Sequence, residues 1–170
     1  MESKLPKKMY SVALSLSDKL DSLVGFFGIN LKPTSSKDPY AIRRMAISLV
    51  RLIVENEIKI KLKDLIVYTC SAYRDQGYDF DTKKIQNELS DFIIERLKNY
   101  LKEKKIRQDI IESSTFLLGL DDLLKAYKKS LCLNKNIKKE IGFETIAVYK
   151  RSSNILNTEE KISIETLGFA

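Results

Sequence analysis

A chain of 170 residues, 44% hydrophobic, has room for one core or two small ones. It contains no histidine, which removes the commonest general base and the usual nitrogen ligand of catalytic metals, and with them Ser–His and Cys–His chemistry and His-built metal centres. The formal charge of +7 and pI of about 9.3 permit RNA binding by counterion release, although a solvated basic surface explains them as well.

The first twenty residues, MESKLPKKMYSVALSLSDKL, pass only briefly for a signal peptide, because serines cut the apolar stretch and Asp18 ends it. No other window approaches a membrane span, so a cytoplasmic protein is expected. Cys70 and Cys132 have no CxxC spacing and are expected to be buried, reduced thiols.

An all-α chain is expected. Val12, Leu16, Leu20, Leu23 and Phe27 recur at steps of three and four and predict a helix from about Lys7 to Phe27. Asp18 falls mid-helix, where a carboxylate needs solvent, a lysine or a ligand. The run GINLKPTSSKDP reads as an ordered loop that closes on a second helix, Pro39 to Glu55, with Asp38 as cap and Pro39 at the first helical position. On that helix Ile42, Met45, Ala46, Leu49, Val50 and Ile53 share a face, while Arg43 and Arg44 are expected to pair with acids such as Asp38. Asn56 to Lys61, NEIKIK, is a linker whose alternation also fits a strand. A third helix follows from Leu62 to Asp75, stopped by Gly77, with Asp79 or Asp81 capping the next.

The strongest pattern spans Asp81 to Lys104, where Ile85, Leu89, Phe92, Ile93, Leu97, Tyr100 and Leu101 hold a helical period. Its end carries the densest basic cluster, Lys98, Lys102, Lys104, Lys105 and Arg107. These residues read either as RNA contacts or as cations answering the helix dipole, and the pattern does not choose between them. Short helices are expected to start at Asp109 and Leu120, the latter with Asp121 as cap candidate. Asn134 to Asn136 reads as loop, Ile137 to Glu140 as a turn, Phe143 to Leu156 as a last helix with Tyr149 and Ile155 packed inside, and KISIETLGFA as frayed. There is no phosphate-binding GxxxxGK[ST] and no paired acid with a supporting base, so no catalytic, cofactor-binding or metal-binding residue is assigned.

The strings SDKLDSLVGFFGI, PTSSKDPYAIRR, FIIERLKNYL and YKRSSNIL, in this order, resemble the β subunit of the bacterial two-subunit glycyl-tRNA synthetase. The resemblance runs from about Leu5 to the end and is weakest between Ile60 and Asp91. It implies that residues 1–78 form the C-terminal part of an HD-like helical domain, and that 79–105 form a long connecting helix. Residues 106–170 would then start a truncated anticodon-binding (DALR-like) domain. It also makes NEIKIK a loop and Asp18 a relic of a metal-ligand position, because the histidines of an HD site are missing. Lys150 and Arg151, in YKRSSNIL, join Lys98, Lys102, Lys105 and Arg107 as candidates for RNA contact.

The function so implied is that of a fragment of glycine–tRNA ligase, an enzyme that attaches glycine to tRNA-Gly with ATP and Mg²⁺ bound through its α subunit. The expected partners are that α subunit, in a heterotetramer of two α and two β chains, and tRNA-Gly. The chain alone is expected to be inactive. A stand-alone helical RNA-binding or scaffold module is the alternative. A decayed reading frame is a third reading, and it predicts uncovered apolar faces.

Overall fold

A computed structural model describes residues 5–34, 37–116 and 122–166, and their side chains except at 150, 153 and 156–166. Seven α-helices and no strands are found among the described residues: α1 (Met9–Gly28), α2 (Ile42–Glu55), α3 (Leu62–Asp75), α4 (Thr82–Glu103), α5 (Gln108–Thr115), α6 (Leu123–Asn136) and α7 (Glu140–Thr166). The chain divides into two compact units, 1–131 and 132–170.

The core of the first unit is built on α2. Seven of its fourteen residues are buried, from Ile42 through Val54, because α1 and α4 pack against it. The period read in α4 is the observed one. Ile85, Leu89, Ile93, Leu97, Tyr100 and Leu101 are buried, and α1, α2, α3 and α5 all lie against this helix. Each such side chain contributes about 1.5–3 kcal/mol when removed from water.

Four consecutive helices stop in the same way. The residue two past each helix end has a positive φ: Asn30 (60°), Glu57 (53°), Gly77 (91°) and Lys105 (59°). The next N–H then donates back to a carbonyl five residues earlier: Leu31 to Phe26, Ile58 to Ile53, Tyr78 to Tyr73 and Ile106 to Leu101, at 2.8–3.1 Å. This is the left-handed stop that satisfies the last carbonyls of a helix. Gly77 advertises it in sequence, and Asn30 does so more weakly; at Lys105 the driving force is the burial of Ile106 behind it.

Several expectations need correction. The second helix begins at Ile42, not Pro39, because Ala41 takes φ +57° and the Pro39–Tyr40 pair forms a turn. Asp38 still caps it from a distance, accepting the N–H groups of Ile42 (2.8 Å) and Arg43 (3.0 Å). Residues 134–136 complete α6 rather than forming a loop, with Ile137 N–H donating to Leu133 at 2.8 Å. Cys132 is exposed, unlike buried Cys70. Tyr149 and Ile155 do not pack inside: they are 72% and 60% exposed. Asp121 lies outside the described residues. Asp81 caps α4 as expected, accepting from Lys84 N–H at 3.0 Å.

Candidate nucleic-acid interface

The end of α4 sorts its cations by local chemistry. Lys98 is half-buried and lines a cleft of about 570 Å³ with Lys32, Glu88, Asp91 and Glu95, in which Glu88 pairs with Lys32 at 2.6 Å and Glu95 with Arg96 at 2.7 Å. Lys102, one turn on, is fully outward, and Lys105 is turned outward by its left-handed backbone. Neither has an acidic partner among the described residues. Arg107 is exposed and forms a two-pronged pair with Asp109, Nε to Oδ1 at 3.1 Å and Nη2 to Oδ2 at 2.7 Å. Pairs this open are worth about 0–1 kcal/mol and yield easily to another anion. Arg151 is exposed on α7, in the second unit; the side chain of Lys150 lies outside the described residues. The six candidates therefore do not form one patch within the first unit.

A polar network ties α4 to α2. Glu55 Oε1 accepts from Arg51 Nε at 2.8 Å and from the buried Tyr100 hydroxyl at 3.0 Å. Lys104 Nζ stands 5.1 Å from the centre of the Tyr100 ring. Burial pushes the Glu55 carboxyl up, but the hydrogen bonds from Arg51 and Tyr100 and the charges of Arg51 and Lys104 bring it below the ordinary value. Burial, then the bond to Glu55, raises the Tyr100 hydroxyl well above the usual phenol range.

Asp18 is exposed, 3.9 Å from Lys19, as a solvated, lysine-paired acid is. Among the described residues no three His, Cys, Asp or Glu side chains are grouped to hold a metal.

A second basic surface went unread in the sequence. Lys59 and Lys61, in the α2–α3 link, line a cleft of about 660 Å³ with Lys125 and Lys128 of α6. Lys128 Nζ reaches Glu57 Oε2 at 2.9 Å across 71 residues of chain, and Lys125 lies 3.8 Å from Asp122. The only local signal was the alternation of NEIKIK, which places Lys59 and Lys61 on one side; folding alone brings α6 opposite.

A family model described as glycyl-tRNA synthetase beta subunit matches residues 1–115. The chain is 38% identical over 162 residues, 95% of its length, to the glycine–tRNA ligase beta subunit of Ruegeria sp. (strain TM1040), and covers 22% of that protein. It is similarly 38% identical to the Rhodospirillum centenum beta subunit, over 93% of this chain and 22% of the relative. Identity to the Clostridioides difficile beta subunit is 32%, over 95% of this chain and 23% of the relative. The chain thus spans less than a quarter of the length of these relatives.

Proposed function

The chain belongs to the glycyl-tRNA synthetase β-subunit family, and from that premise we propose that it supplies a helical, tRNA-contacting part of such a subunit. The observation that carries this reading is the family match combined with outward lysines that lack acidic partners, Lys102 and Lys105, at the end of the best-packed helix. A rigid helix end presenting unpaired cations suits phosphate contact, which positions an RNA without reading its bases. In this reading residues 1–78 descend from an HD-like domain, α4 links it to an anticodon-binding part begun by 106–170, and Asp18 marks the lost metal position. Arg107 can exchange Asp109 for a phosphate, and Arg151 with Lys150 contributes from α7. Lys98 contributes less, because it is half-buried.

ATP, Mg²⁺ and glycine activation fall to a partner α subunit. The donor set of this chain does not fit them: no group of three carboxylates is gathered among the described residues to hold Mg²⁺, a cation bound by oxygen, and the sequence has no GxxxxGK[ST] loop. The chain alone is expected to be inactive as a ligase. A cytoplasmic setting is part of this proposal; no described helix is long and apolar enough to cross a membrane.

Competition binding tests this reading. Labelled tRNA-Gly is expected to be displaced from the chain more readily by unlabelled tRNA-Gly than by a non-cognate tRNA, and an α subunit is expected to co-purify. Equal displacement without an α subunit would favour a stand-alone RNA-binding module. No binding would leave a purely architectural role.

A further inference from the structure

We propose that the cleft between the α2–α3 link and α6 seats an RNA phosphodiester backbone, with Lys59 and Lys61 on one wall and Lys125 and Lys128 on the other. This rests on the RNA reading above but places the contact on a surface which that reading does not use. The charges do not cancel. Lys125 and Lys128 have Asp122 and Glu57 beside them, whereas Lys59 and Lys61 have no acidic partner among the described residues, so the groove keeps an excess of two cations. The two ion pairs are half or more exposed at their lysines, 66% and 51%, and a phosphate can replace either acid at little cost. Ile60 and Leu124 line the cleft between the cations and give it an apolar wall of the kind a ribose packs against.

At the end of α2, Lys7 Nζ donates to the Glu55 carbonyl at 3.3 Å, so a further cation stands where the link that carries Lys59 and Lys61 begins. Among the described residues the lining cations are all lysines, point charges that bind phosphate without needing a bidentate fork.

The test is anisotropy titration of the full chain with labelled tRNA across a salt series. It compares wild type with Lys59→Ala/Lys61→Ala, Lys125→Ala/Lys128→Ala and Lys102→Ala/Lys105→Ala, each checked for helicity by circular dichroism. Either cleft pair is expected to weaken binding on the order of tenfold at moderate salt, and to flatten the slope of log K against log salt by about 1.4–1.8 for two lost phosphate contacts. Having a pair on each wall keeps the test decisive if one of them fails to fold. Wild-type binding in both cleft variants, with loss only in the α4 variant, overturns the cleft while leaving the RNA reading intact. Absence of binding by the wild-type chain overturns both. Loss of α-subunit capture with RNA affinity unchanged would make the cleft a protein contact, and the proposal false.

Discussion

Gly28 ends α1 with no side chain because the Phe80 ring occupies that space. A methyl there would stand 2.5 Å from Phe80 Cε2 and Cζ, and one at Gly25 would stand 2.5 Å from the Tyr73 hydroxyl. The two glycines, one turn apart, thus admit the Tyr73–Phe80 ring pair, whose centroids are 5.1 Å apart, against the helix. Gly28→Ala is expected to destabilise by about 1–3 kcal/mol, as overpacking does, read from urea unfolding. Neither glycine's partner was legible in the sequence, since Phe80 lies fifty residues away in a segment that reads only as a helix break. Glu55 links stability to pH. Its lowered folded-state pKa means the unfolded chain takes up the proton more readily. Its contribution is therefore complete above the ordinary glutamate value of about 4.3 and is lost as pH falls through the lowered folded value. The stability gap between wild type and Glu55→Gln is expected to be larger at pH 7 than at pH 3. A gap that does not change with pH would exclude a lowered Glu55 pKa.

At the scale of elements, the fold rests on α4 and on the repeated left-handed helix stops. Leu97 is buried in the middle of α4, so Leu97→Ala is expected to cost about 2–5 kcal/mol in thermal or chemical unfolding. Lys105 occupies a glycine-like position, and Lys105→Gly is expected to raise stability by about 0.5–1 kcal/mol while weakening RNA binding. Opposite signs from one substitution would separate its backbone role from its charge. The helix periods of α1, α3 and α4, the stop at Gly77 and the cap at Asp81 were legible because each depends on neighbours within a turn or two. The start of α2 was misplaced because Ala41 adopts a conformation its side chain does not announce. The stops at Glu57 and Lys105 were missed for the same reason: an ordinary residue is held at positive φ by the packing and hydrogen bonds that follow it.

Across the whole molecule, burial and charge are distributed unequally. The buried residues among those described run from Val12 to Ser130, all in the first unit, while Ile141, Phe143, Val148, Tyr149 and Ile155 on α7 are exposed. A chain ending at residue 131 is therefore expected to keep a cooperative thermal transition within a few degrees of the full chain, and to bind less of the dye ANS. A lost transition would mean that 132–170 hold the first unit together. The candidate RNA surface was half legible. The lysines at the end of α4 stand close in sequence, but Lys59 and Lys61 meet Lys125 and Lys128 only after folding. The sequence pattern also could not distinguish Lys98, half-buried in a cleft, from Lys102, which is exposed. The most direct test of RNA contact is the salt dependence of tRNA binding by the unaltered chain. Affinity falling by about 0.7–0.9 log units per phosphate contact for each tenfold rise in salt is the expected result. Absence of binding, or binding that salt does not weaken, would contradict it.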